Sequence, residues 1–196
     1  MSEHRERREH WIGAVLTGGS SRRMGTDKAL LEVDGVAMAV RVARALDAAG
    51  ATEVMCIGGD APALAALGLT VVTDRHPGDG PLGAVITALA ASPHPVVVLS
   101  PCDLLAPDPA AARSVLASLV AAPAADVAVP VIDGVRQPLD GAYRVAACLP
   151  LLVQEFARGE RSVKRAVEIL RLVEVDAISP GALADADTPE ELAGDR

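Results

Sequence analysis

Short apolar runs rich in β-branched residues alternate along this chain with longer stretches in which apolar positions recur at helical spacing. Runs without polar interruption suit strands covered on both faces, and the intervening segments are long enough to do the covering as helices. The pattern predicts strands at Ile12–Leu16, Glu53–Ile57, Thr70–Val72, Val96–Leu99, Asp126–Val131 and Leu172–Val175. Helices are expected at Ala37–Ala48, Ala61–Ala66, Leu82–Ala91, Pro109–Ala121 and Val145–Ala157, where frequent alanine favours helix over disorder. Ser162 stands where it can cap a further helix running to Leu170. Thr188-Pro189-Glu190-Glu191 carries a cap residue, a proline at the first helical position and a glutamate three after the cap. Alternating strands and helices point to βαβ winding, an α/β sandwich of three layers around a mostly parallel sheet. Gln137–Tyr143 is expected as a short strand that departs from the parallel direction and makes the sheet mixed.

At 196 residues the chain fits one domain, expected over 11–196 behind a charged, flexible tail at 1–10. It shows no internal repeat and no low-complexity linker. Half of its residues are hydrophobic, but Trp11, Tyr143 and Phe156 are its whole aromatic complement, so the core should be aliphatic and base-stacking platforms are not expected. A formal net charge of −8 argues against a nucleic-acid partner, because such binding needs a broad basic face. An anionic ligand must therefore meet a local basic pocket. Arg22, Arg23 and Lys28 can supply one; Arg161, Lys164 and Arg165 form a second basic cluster, which reads either as another such pocket or, in preference, as the solvated face of a helix. Cys56, Cys102 and Cys148 are odd in number and widely spaced, which suggests neither a disulfide framework nor a zinc site and fits a reducing cytoplasm. No apolar stretch approaches the length of a membrane span, so no membrane partner is expected.

The densest chemistry follows the first predicted strand. Leu16-Thr17-Gly18-Gly19-Ser20-Ser21-Arg22-Arg23-Met24-Gly25-Thr26-Asp27-Lys28 packs three glycines, two arginines and a lysine into thirteen positions. Glycines let the backbone approach a ligand, exposed N–H groups point at anions, and Arg and Lys neutralise phosphate charge. The spacing excludes a P-loop, since two residues separate Gly25 from Lys28 and Ala29 follows the lysine. It equally excludes the dinucleotide fingerprint, because Gly18 and Gly19 are adjacent and two arginines precede Gly25. A second signal is the apolar strand Val96-Val97-Val98-Leu99, which ends in Ser100-Pro101-Cys102-Asp103. Asp103 should project from the same sheet edge as the glycine loop, where a carboxylate either holds Mg²⁺ or forms a turn. Cys102 is not expected to be a nucleophile, because the neighbouring acid disfavours its thiolate and no histidine stands in motif relation to it. His4, His10, His76 and His94 are scattered and receive no role.

The loop reads G-G-x-S-x-R-M-G-x-D-K and so resembles the signature of the nucleotidyltransferases related to molybdenum cofactor guanylyltransferase, a resemblance that extends from Ile12 to Leu192. It implies a Rossmann-like, nucleotide-diphospho-sugar-transferase-like fold and transfer of GMP from GTP to molybdopterin with Mg²⁺. Leu16, Thr17, Gly18, Gly19, Ser21, Arg23, Gly25, Lys28, Asp74, Pro81, Leu82 and Asp103 are then nucleotide contacts. Arg23, Lys28 and Asp103 are implied as catalytic, and Asp103 and Asp187 as metal-side residues. Gln137, Arg144 and Arg161 are implied to face the second substrate. Asp185-Ala186-Asp187-Thr188-Pro189 departs from the family's N-x-N-T-P, with aspartates in place of both asparagines. The resemblance also implies transient contact with cofactor-delivery or molybdoenzyme maturation proteins, by a monomer or weak oligomer.

Leu16 to Gly19 reads L-x-G-G, which favours guanine over the L-A-A-G of cytidylyl relatives. The rivals within the class are a cytidylyltransferase for the same pterin and a guanylyltransferase for another phosphorylated small molecule. From other classes come a non-catalytic nucleotide sensor and a glycosyltransferase using Asp185-Ala186-Asp187 as a D-x-D metal motif. The glycosyltransferase reading leaves the basic loop unexplained. A sensor has no need of Arg23, Lys28 and Asp103 together.

Overall fold

The computed structural model describes residues 10–18, 27–176 and 178–184. Strand β1 (Trp11–Leu16) lies at the centre of the main sheet, buried along its whole length. It pairs in parallel with β4 (Glu53–Ile57) on one side and β6 (Val96–Pro101) on the other. Beyond β4 lies β5 (Thr70–Val72), also parallel. On the opposite flank β9 (Ala142–Arg144) runs antiparallel to both β6 and β7 (Val127–Ile132), and β10 (Leu172–Val175) closes the edge parallel to β7. The order β10-β7-β9-β6-β1-β4-β5 is the expected mixed, mostly parallel sheet.

Alternation along β1 assigns the layers. Ile12, Ala14 and Leu16 face a core shared with α3 (Pro81–Ala91) and α5 (Val145–Ala157). Trp11 and Val15 face the opposite core, built with α1 (Met38–Ala49), α2 (Ala61–Ala66) and α4 (Pro109–Ala121). Gly13 belongs to the α1 side, where a Cβ would meet the Leu46 Cβ at 3.0 Å, so its missing side chain lets the helix lie close against the sheet. Helix α3 is buried from Leu82 to Leu89, as befits a segment apolar on nearly every side.

Three expectations shift. The strand expected at Gln137–Tyr143 is confined to β9, because Pro138 opens a 3-10 turn, Pro138–Asp140, that takes up the first part of the segment. The helix expected from Ser162 to Leu170 is a single turn, α6 (Val163–Ala166), that tightens into a 3-10 turn at Val167–Ile169. Ser162 makes no capping bond through its side chain; the Glu160 carboxylate accepts from the N–H groups of Arg161 and Ser162 instead. Two hairpins escaped the hydrophobic pattern: β2 (Glu32–Val33) with β3 (Val36–Ala37), and β7 with β8 (Val135–Arg136). Residues 1–9 of the expected tail at 1–10 and the Thr188 helix lie outside the described residues. Among the described residues, no helix is long and apolar enough to cross a membrane.

Candidate active site

Parallel register brings the two sequence signals to one edge. Leu16 of β1 is opposite Pro101 of β6, so Gly18 and Asp103 each lie two residues beyond the same rung. The chain returns to this rung at Lys28, whose Nζ is 3.1 Å from Asp103 Oδ2, with both side chains about one-fifth exposed. Lys28 is held by a 3-10 turn, Lys28–Leu30, capped by Asp27, whose carboxylate accepts from the Ala29 N–H at 3.0 Å and from the Asp60 N–H at 3.3 Å. Asp27 thus ties the end of the glycine loop to the start of α2. A lysine and a carboxylate paired at a partly exposed rim can each turn to a ligand, the ammonium to phosphate oxygens and the carboxylate to a cation.

The first glycine of the loop does something other than donate to phosphate. The N–H groups of Thr17 and Gly18 are committed to the Ile57 carbonyl, at 3.2 and 2.8 Å, and the buried Thr17 hydroxyl lies 3.0 Å from Ile57 O and 2.9 Å from Gly58 O. What requires glycine is crowding. A Cβ at Gly58 would meet Gly18 Cα at 3.2 Å and Asp74 Cβ at 3.4 Å, and Gly58 and Gly59 both hold positive φ, 72° and 80°. Three strand ends therefore converge, with β1, β4 and β5 contributing Gly18, Gly58 and Asp74. Asp74 is fixed within this wall, its Oδ1 accepting from the His76 N–H at 3.0 Å and lying 2.9 Å from the Thr87 hydroxyl.

Other expected contacts distribute differently. The Leu16 and Leu82 side chains belong to the apolar core under the site, and the Leu82 N–H bonds the Arg161 carbonyl at 3.3 Å, so Leu82 supports the pocket from below. Pro81 is exposed at the start of α3. Arg161 does reach this edge: its Cβ and carbonyl would each lie 3.3 Å from a Cβ at Gly80. Its guanidinium covers the Phe156 ring at 3.9 Å and donates to the Phe156 and Glu160 carbonyls. Glu160 is pulled down to about 2 by the Arg165 guanidinium and the N–H groups of Ser162 and Arg161. Gln137 sits on the same edge, its N–H on the Pro130 carbonyl at 2.8 Å.

Arg144 is not brought to this edge. It pairs with Val96, at the start of β6, and donates to the carbonyls of Leu119 and Ala125 at 2.8 and 3.1 Å. Antiparallel β9 carries it to the opposite end of the sheet, where it secures the end of α4. Gly19, Ser21, Arg23, Gly25 and Asp187 lie outside the described residues. The chain toward Asp187 passes Ala184, whose carbonyl accepts from the Leu105 N–H at 2.9 Å, two residues past Asp103. Cys102 is buried, and burial, with Asp103 and Asp27 nearby, pushes its thiol up to about 12, which agrees with its exclusion as a nucleophile.

The sequence model of the MobA-like NTP transferase domain matches residues 13–177, from the third residue of β1 to two residues past the end of β10. The chain belongs to that family. A Chloroflexus aggregans protein named "probable molybdenum cofactor guanylyltransferase" is 34% identical over 193 residues, covering 92% of this chain and 90% of its own. The molybdenum cofactor guanylyltransferase of Cupriavidus necator is 33% identical over 193 residues, with 94% and 96% covered. Among solved structures, molybdopterin-guanine dinucleotide biosynthesis protein A from Archaeoglobus fulgidus superposes with a TM-score of 0.74 at 20% identity, covering 93% of this chain and 95% of its own. The fold extends to 2-C-methyl-D-erythritol 4-phosphate cytidylyltransferase from Thermus thermophilus, with a TM-score of 0.65 at 18% identity and coverage of 92% and 94%. This MobA-like chain is a nucleotidyltransferase, and the edge carrying Gly18, Lys28, Asp74 and Asp103 is its candidate active site.

Sequence reasoning passed over three parts of it. Gly58-Gly59-Asp60 follows an apolar strand as Gly18-Gly19 does, a repeat of the same strand-then-glycines signal. Asp27 was within the signature but received no function of its own. Thr87 stands out as the one polar residue in an otherwise apolar helical run.

Proposed function

We propose that this chain transfers GMP from GTP to the terminal phosphate of molybdopterin and releases pyrophosphate. The observation that carries the reading is the Lys28–Asp103 pair at the shared end of β1 and β6, beside the glycine wall. The names of full-length relatives supply the substrates. In the reaction an acceptor phosphate oxygen forms a bond to the α-phosphorus of GTP as the bond to the β-phosphate bridging oxygen breaks. Pyrophosphate carries away the electron pair, and no covalent enzyme intermediate is required.

Lys28 neutralises triphosphate charge, and with it Arg23 from the glycine loop. Gly19, Ser21 and Gly25 supply backbone and hydroxyl donors to the phosphates, while Thr17 and Gly18 hold the loop against β4. Asp74 accepts from a donor of the nucleoside. Gln137 and Arg161 serve the pterin side. Such catalysis is placement and charge neutralisation in a preorganised site.

Asp103 offers a partly exposed carboxylate at the site of transfer, and no cluster of three metal-ligating side chains occurs among the described residues. That suits Mg²⁺, which takes one or two carboxylates and completes its shell with phosphate oxygens and water. Asp103 would hold the ion, joined by Asp187. When bound, Mg²⁺ neutralises charge on the phosphates. The reduced, buried cysteines fit a cytoplasmic enzyme, and the product would pass to cofactor-delivery or molybdoenzyme maturation proteins.

Pyrophosphate release, followed with GTP or CTP, with and without molybdopterin, tests the reading. Release is expected from GTP and only with the pterin present. Release from CTP alone would make the chain a cytidylyltransferase, and GTP binding without release for any phosphorylated acceptor would make it a sensor.

A further inference from the structure

Helix α3 buries an apolar run broken by a single hydroxyl, that of Thr87, which is fully inaccessible to solvent. A buried hydroxyl without partners is costly, so the partners of this one are informative. Thr87 Oγ1 accepts from the Arg75 N–H at 3.1 Å and lies 2.9 Å from Asp74 Oδ1 and 3.0 Å from the Gly83 carbonyl, with one proton to share between those two. Bonding to Gly83, one turn back, is what any helical threonine can do. The contacts with residues 74 and 75 are different, because they bind the helix to the loop that follows β5.

Asp74 is the residue pressed against Gly58, and Gly58 is in turn pressed against Gly18. Its Oδ1 has two donors, the His76 N–H and the Thr87 hydroxyl, while Oδ2 has no hydrogen bond among the described residues. A carboxylate pinned through one oxygen presents the other in a fixed direction. That oxygen repels phosphate and selects a neutral N–H or O–H donor, which on a nucleotide means the nucleoside end.

We propose that Thr87 is a positioning residue for nucleotide binding: its hydroxyl fixes the Asp74 carboxylate so that Oδ2 meets a hydrogen-bond donor of the nucleoside. The proposal rests on the reading of Asp74 as a nucleotide contact. Thr87 touches no substrate and acts through Asp74 alone. Because the base and the sugar hydroxyls take no part in the bond changes at the α-phosphorus, the effect falls on binding, which raises KM and leaves kcat nearly unchanged.

The experiment measures GTP dissociation constants by calorimetry, and kcat and KM by pyrophosphate release, for Thr87→Val, Thr87→Ser, Asp74→Ala and the Thr87→Val/Asp74→Ala double variant. Thr87→Val keeps the volume and removes the hydroxyl. It is expected to weaken GTP binding about tenfold with kcat within about twofold of the parent, while Thr87→Ser restores the parental value. In the Asp74→Ala background the same change is expected to cost less than about twofold, since contacts in one network do not add. Thr87→Ala, which adds no branched methyl, is read identically if the valine variant does not fold. Equal losses in both backgrounds would reduce Thr87 to a structural role and overturn the proposal, as would parental GTP binding by Thr87→Val alongside a defective Asp74→Ala. Parental binding by Asp74→Ala would instead remove the reading of Asp74 itself.

Discussion

At the scale of single residues, the site separates side chains that meet a ligand from those that make room for it. On the proposed function Lys28 and Asp103 belong to the first group, while crowding puts Gly18 and Gly58 in the second. The first group was legible in the sequence because it follows strand ends at the density expected of phosphate chemistry. Gly58 was not, since what it avoids lies forty residues away, at Gly18. Gly58→Ala forces a side chain to adopt φ 72° and to crowd Gly18 Cα at 3.2 Å. The expected loss of stability is about 1–2 kcal/mol from the left-handed backbone alone, read as a lowered midpoint in thermal unfolding, together with weaker GTP binding as Gly18 shifts. A variant with parental stability and parental GTP affinity would show that the convergence of β1 and β4 is not needed.

At the scale of elements, strands and helices announced by unbroken apolar runs were readable to within a few residues; β4, β5, β10, α2, α4 and α5 fall where the pattern puts them. The two hairpins were missed because β2, β3 and β8 are only two residues long, too short for any alternation. Their signal lies in the turns, Asp34-Gly35 and Asp133-Gly134, both with positive φ at both positions. Arg144 shows what a local motif leaves open. The family resemblance implies a substrate contact for it, but β9 runs opposite to β6, and strand direction decides which edge of the sheet a residue reaches. Arg144→Ala is accordingly expected to destabilise the fold by about 1–3 kcal/mol, since two carbonyls lose a charged donor. KM for GTP and for molybdopterin should stay at the parental values, whereas a selective rise in the pterin KM would return Arg144 to the active site.

At the scale of the whole molecule, the sheet has a chemical edge and a structural edge. The second is fastened by Asp126, a buried acid just before β7 that accepts from the Arg171 N–H at 2.9 Å and its guanidinium Nε at 3.0 Å, tying β10 to β7. The Arg171 guanidinium holds the Asp126 carboxyl below the usual carboxylate range. The folded chain therefore binds that proton less readily than the unfolded chain does. Its contribution to stability is complete above the ordinary carboxylate pKa of about 4 and is lost as pH falls below it. Thermal midpoints measured from neutral to acid pH should fall more steeply for the parent than for Asp126→Asn, and parallel curves would contradict this. The proposed role of Lys28 and Asp103 in nucleotidyl transfer belongs to the other edge. It is tested most directly by the rate of GMP transfer to molybdopterin, at saturating GTP and Mg²⁺, in Lys28→Ala and Asp103→Ala variants shown by circular dichroism to be folded. The account predicts a fall of about two to three decades for each; parental rates in either folded variant would contradict it.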